Sequence, residues 1–143
     1  MESWARERFA AAAVARLATV TADARPHLVP IVFALVGDEL WTSVDAKPKT
    51  TRALRRLANI VANPRVSVLV DAYDDDWSRL WWVRVDGVAT VLRADDPQVA
   101  PGLAGLVAKY PQYRSEAPPG PVIRIAVAHW VSWSGGQGPA PLV

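Results

Sequence analysis

The chain has no cysteine, which removes disulfides, thiolate metal ligands and cysteine nucleophiles at once. Lysine is scarce, with three against thirteen arginines, and there are only two histidines and one methionine. The net charge of +2 is too small to argue for nucleic acid. Apolar runs are brief, and polar breaks keep each well below the ~20 residues that span a bilayer. Near the start, Phe9 to Ala15 follows Glu2 and Glu7 and leads into a strand-like segment, the wrong setting for a signal peptide. A cytoplasmic protein is the expectation. No GxGxxG follows a strand, so a Rossmann dinucleotide site is unsupported. Ser43 lacks elbow glycines and a nearby histidine, so nothing points to a hydrolase.

What is present is enough for one domain spanning 1–143. Of its residues 51% are hydrophobic, and a chain of this length buries roughly 70% of its extended surface. Residues 3–14 read as an alanine-favoured helix with Ser3 as its cap. Strands are expected at Leu17–Thr21, Pro26–Val36, Glu39–Val44, Arg65–Asp71, Leu80–Leu92 and Pro121–Trp133. In the segment after Asp45 the period becomes helical, with Leu54, Leu57, Ala58 and Val61 on one stripe and Arg52, Arg55 and Arg56 off it. Pro48 suits the first helical position, and Asn63-Pro64 ends the helix. A second helical region covers Asp95–Lys109, a Pro-rich loop covers Tyr110–Gly120, and 134–143 is a flexible tail. Gly87, inside the long fifth strand, marks a bulge or sharp bend. Six strands joined by short links, with helices at the connections, argue for an antiparallel barrel.

Three features carry candidate chemistry. In LWTSVDAKPKTTR, residues 40–52, a strand ends and a helix starts with Lys47, Lys49, Thr50, Thr51 and Arg52 crowded into its first turn. Helix N-termini favour anions, and cations there are unfavourable unless an anion neutralises them. With hydroxyls at Thr50 and Thr51 this is either a phosphate cradle or a solvated basic helix start. Pro30, inside HLVPIVFAL, cannot donate to a ladder, so its strand is an edge, carries a bulge, or leaves polar groups free for a heterocycle. Seven tryptophans are many, and Trp81 and Trp82 point to opposite faces of one strand. One of them must meet a helix, a ligand or a partner chain. His27 and His129 are isolated, and Asp74-Asp75-Asp76 reads as an acidic loop.

The layout resembles the pyridoxamine 5′-phosphate oxidase-like split-barrel superfamily, and within it the actinobacterial branch of F-420-dependent (deazaflavin-dependent) oxidoreductases. The residues carrying the resemblance are ARLATVTADARPHLVPIVFAL at 15–35, LWTSVDAKPKTTRALRRLANIVANPRVSVLVD at 40–71, WSRLWWVRVDGVATVL at 77–92 and KYPQY at 109–113. It implies a mainly β fold, a six-stranded antiparallel split β-barrel of Greek-key type with flanking α-helices. It also implies a homodimer with cofactor at the subunit interface and a small-molecule substrate. The segment 42–52, including Thr42 and Ser43, would hold a phosphate through Lys47, Lys49, Thr50, Thr51 and Arg52. The backbone of Val29, Pro30 and Ile31 would line a tricyclic ring, and Trp77 and Arg79 would reach the other subunit's site. The cofactor the resemblance implies is F-420, or FMN in the oxidase branch. Arg55 and Arg56 would meet the acidic tail that F-420 carries. No catalytic acid or base is implied, because the cofactor carries the hydride and the protein binds and orients. From another class, a non-catalytic flavin- or haem-binding module fits the same lack of an acid–base pair.

Overall fold

The computed structural model describes residues 2–44 and 51–142, the side chains of 51–54 excepted. The elements, in chain order, are α1 (Ser3–Ala11), β1 (Ala15–Val20), β2 (Pro26–Ile31), β3 (Ala34–Val36), β4 (Glu39–Ser43), α2 (Thr51–Ala62), β5 (Arg65–Ala72), β6 (Trp81–Leu92), α3 (Ala100–Lys109), α4 (Gln112–Ser115) and β7 (Val122–Ser134). Short 3₁₀ turns lie at Trp77–Arg79 and Pro97–Val99. The strands form one antiparallel sheet in the order β2-β1-β5-β6-β7-β4-β3. Its two outermost strands, β2 and β3, are separated in sequence only by Val32 and Phe33. A sheet whose ends are joined by two residues must curl on itself, which gives the split barrel.

Seven strands replace the expected six because the Pro26–Val36 segment breaks at Val32-Phe33. β2 is an edge strand, which is where a Pro without an N–H is tolerated. Alternation sorts β1, β5 and β6 into a core face and an outer face, whereas β4 is buried on both, with Leu40 in the barrel core and Trp41 beside α3. Leu17, Val68, Val83, Val85, Ile123 and Ile125 are fully buried, together with Phe9 from α1 and Phe33 from the break. Gly87 lies at the expected irregularity: the β6–β7 register shifts between Asp86 and Gly87, so Ala128 is an extra residue on β7. The inward parity of β7 passes there from Val127 to Trp130. A Cβ at Gly87 would stand 2.5 Å from the Ala126 carbonyl oxygen, too close for any side chain.

Three local expectations are corrected. Ser3 does not cap α1, whose N-cap is Glu2 without a side-chain bond, and the helix stops at Ala11. The inward face of α2 departs from the expected stripe of Leu54, Leu57, Ala58 and Val61: Leu57 packs on the core, but Asn59 and Ile60 are buried, Ala58 is exposed, Val61 is 77% exposed, and the Leu54 side chain lies outside the described residues. Asn59 Nδ2 donates to Thr19 Oγ1 at 3.1 Å beneath β1, and satisfying that buried amide turns the helix. The segment 110–120 contains α4. The last residues lie along α1, where Arg8 donates to the Ala140 carbonyl at 2.6 Å and the Leu142 N–H donates to Glu7 Oε1. Gly138, at φ +88°, faces the Trp4 indole, where a Cβ would meet Nε1 at 2.6 Å.

Candidate functional site

The strand break that splits β2 from β3 forms one wall of a cavity of 630 Å³. Pro30, Ile31 and Val32 supply this wall, and Thr42 and Ser43 at the end of β4 supply its floor. Facing them are Tyr110 at the end of α3, Gln112 and Tyr113 of α4, and Glu116 to Pro119. Arg56 enters from α2. A volume of this size accommodates a drug-sized or cofactor-sized ring system. The walls mix flat apolar surfaces from proline and tyrosine with a few polar groups, the composition of an orienting pocket.

Side-chain hydrogen bonds hold the break open. Thr42 Oγ1 donates to the Val32 carbonyl at 2.7 Å. The Tyr110 hydroxyl accepts the Phe33 N–H at 3.1 Å and lies 2.8 Å from the Ala13 carbonyl and 3.1 Å from that of Phe33. Burial pushes the Tyr110 phenol above its usual pKa, with the Phe33 backbone bond opposing. Beside it, Lys109 Nζ sits 3.8 Å from the Phe33 ring centroid. That nitrogen is buried with no hydrogen-bond partner among the described residues, and burial lowers its pKa to about 8.

Arg56, with Glu116 on the facing wall, is one of two charged residues among the described ones that line the cavity. Its Nε is buried and, among the described residues, has no hydrogen-bond partner. Burial penalises the cation and lowers the guanidinium pKa from its ordinary value. A half-desolvated guanidinium beside a cavity is stabilised by an anion entering that cavity.

Of the residues proposed from sequence, Pro30, Ile31, Thr42 and Ser43 come together at this cavity. Val29 packs against the barrel core beside them. Lys47, Lys49 and Thr50 lie outside the described residues, as do the side chains of Thr51 and Arg52 at the start of α2. Trp77 and Arg79 do not line the cavity within the chain. Trp77 is 69% exposed, and Arg79 pairs with Asp74 at 3.5 Å at the far end of β6. The acidic loop serves its own turn, with Asp74 and Asp76 accepting the backbone N–H groups of Asp76 and Ser78. Arg55 is exposed, whereas Arg56 faces inward. Neither histidine lines the cavity. Sequence reasoning missed Tyr110 and Tyr113 as individual wall residues; the KYPQY segment that carries them was the available signal.

A family model described as pyridoxamine 5′-phosphate oxidase matches residues 1–134. The chain belongs to this family. Among solved structures it resembles a conserved hypothetical protein from Mycobacterium tuberculosis, with a TM-score of 0.73 and 22% identity over 94% of this chain and 86% of that one. A haem-binding protein from Mycobacterium smegmatis superimposes with a TM-score of 0.68 and 20% identity, over 92% of this chain and 57% of the other. A FAD-binding protein from Mesorhizobium loti gives 0.65 and 23%, over 92% and 94%. At these identities the likeness shows the split-barrel fold. No curated protein sequence matches significantly. No described helix is long and apolar enough to cross a membrane.

Proposed function

We propose that the cavity holds a phosphate-bearing tricyclic redox cofactor, the deazaflavin F-420, and that the protein is an oxidoreductase moving a hydride between the reduced cofactor and a small organic acceptor. The observation that carries this reading is one cavity in which flat walls of Pro30, Tyr110 and Pro118 meet the buried Nε of Arg56, which has no partner among the described residues. A planar ring fits the walls, and an anionic substituent satisfies the arginine. Bound there, the cofactor supplies the hydride chemistry. The chain's own part is to orient the ring along the Pro30–Val32 backbone, bind the phosphate near α2, and exclude water with the 112–119 segment. FMN shares the ring-plus-phosphate design and is the alternative cofactor.

The proposal includes a homodimer. On the outer face of the sheet, the registers align Leu28, Ala18, Ser67, Asp86 and His129 in one row, and Pro30, Arg16, Leu69, Arg84 and Val131 in the next. Trp82 and Trp133 pair beside them. Leu28, Leu69 and Trp133 are 66%, 36% and 46% exposed, a broad apolar content for a free surface. Arg84 and Asp86 pair at 2.9 Å within this face. Because Pro30 belongs to both this face and the cavity, a second copy seated there would close the site. Trp77 and Arg79 of that copy are the residues proposed to reach it.

The test is anaerobic mixing of purified protein with chemically reduced F-420, or reduced FMN, and a panel of small organic acceptors. Protein-dependent oxidation of F-420 with hydride recovered in the acceptor supports the reading. Oxidation with FMN alone moves the protein to the oxidase branch. Turnover with neither, together with a Soret band on adding haem, would replace the enzyme by a haem-binding module.

A further inference from the structure

The Phe33 backbone sits where the sheet is interrupted, so its N–H and C=O lack the ladder partners that neighbouring strand residues have. One phenol takes their place. The Tyr110 hydroxyl accepts the Phe33 N–H at 3.1 Å, and its single proton is shared between the Ala13 carbonyl at 2.8 Å and the Phe33 carbonyl at 3.1 Å. The same residue ends α3 in an extended conformation, φ −112° and ψ 113°. From that point the chain turns through Pro111 into α4 and then Pro118 and Pro119, the wall opposite the break. The Lys109 ammonium, one residue earlier, lies over the Phe33 ring at 3.8 Å, so the end of α3 grips Phe33 by backbone and by ring.

We infer that Tyr110 is a positioning residue whose hydroxyl fixes the separation of the two cavity walls between which a planar ring lies. This rests on the cofactor reading above and assigns the width of the ring slot to a single hydrogen-bonding group. Arg56 and Tyr110 then divide the recognition: the arginine answers to the anionic substituent, and the tyrosine to the ring.

That division is measurable. Tyr110→Phe keeps the ring of the side chain and removes only the hydroxyl. Fluorescence titrations of wild type, Tyr110→Phe and Arg56→Met would use F-420 and FMN, each beside its ribityl ring compound lacking the phosphate. For the pair that wild type binds, Tyr110→Phe is expected to weaken both members by the same factor, on the order of tenfold. Arg56→Met is expected to weaken only the phosphate-bearing member. A Tyr110→Phe protein that melts lower yet binds both members as wild type does would overturn the inference, as would a loss confined to the phosphate-bearing member. Wild type binding neither pair would instead bring down the cofactor reading, and this inference with it. Should Tyr110→Phe fail to fold, hydrogen exchange of the Phe33 amide in wild type decides. Slower exchange on saturation with the phosphate-free ring compound is expected, and unchanged exchange refutes the role.

Discussion

Replacing Arg56 by Met separates binding from folding in an unusual direction. In the free protein the Arg56 Nε is buried without a partner among the described residues, and burial already disfavours its charge. Removing a half-buried cation whose Nε has no partner among the described residues, while keeping an unbranched side chain of similar length, costs the free protein little. The variant is therefore expected to melt at the wild-type temperature or above it. Binding of an anionic cofactor should suffer. A charge-assisted hydrogen bond contributes about 1.5–3 kcal/mol, and each ~1.4 kcal/mol is a factor of ten, so the dissociation constant should rise about 10- to 150-fold. With FMN, which lacks the acidic tail, Arg55→Met is the matched control, since Arg55 is exposed one residue earlier on α2. A surface substitution of this kind stays within ±0.5 kcal/mol, about twofold in affinity. Calorimetric titration of both variants, with thermal melts alongside, reads the two quantities together. Wild-type affinity in Arg56→Met, or equal losses in both variants, would refute the assignment of the anion to Arg56.

Other expectations follow from separate parts of the fold. A Cβ at Gly102 would stand 2.2 Å from Cδ2 of the buried Trp41, so Gly102→Ala forces α3 away from the sheet. Overpacking of this kind costs about 1–3 kcal/mol. At about 3 °C per kcal/mol for a chain of this size, the melting temperature should fall by roughly 3–10 °C, and an unchanged melt would contradict the packing. Lys109, lowered from 10.5 to about 8 in the folded chain, binds fewer protons there than when unfolded across that window. Its contribution to stability therefore rises as pH increases from about 8 toward 10.5. Urea midpoints at pH 7.5 and 9.5 should show wild type gaining on Lys109→Met at the higher pH, and parallel profiles would refute the shift. Leu69→Asp places a charge in the middle of the outer sheet face. Sedimentation should find wild type as a dimer and the variant as a monomer, and a monomeric wild type would end the dimer proposal.

Much of the barrel is legible in the sequence because alternation is a local signal. The buried positions of β1, β5 and β6 follow the period of two, and Gly87 marks the β6–β7 irregularity by its own composition. The break at Val32-Phe33 was not legible. After His27, HLVPIVFAL is one continuous apolar run, and the groups that bond at the break, Thr42 and Tyr110, come from 10 and 77 residues away. The face of α2 was misread for a related reason. Its apolar residues are compatible with more than one stripe, and a buried Asn59–Thr19 bond between distant elements selects the one observed. The final residues carry little apolar pattern, and their placement along α1 depends on Arg8 and Glu7. At the site, Pro30 and the end of β4 were visible through backbone chemistry and strand ending. The inward turn of Arg56, unlike that of Arg55, depends on the rotation of α2 that periodicity alone does not supply.

Fluorescence titration of purified wild-type protein with F-420 and with FMN, at matched ionic strength, tests the central claim most directly. Micromolar or tighter binding of F-420, with weak binding of FMN, is the predicted result. Binding of neither would contradict the account, because it would leave the cavity beside Arg56 without the phosphate-bearing ring the whole reading assigns to it.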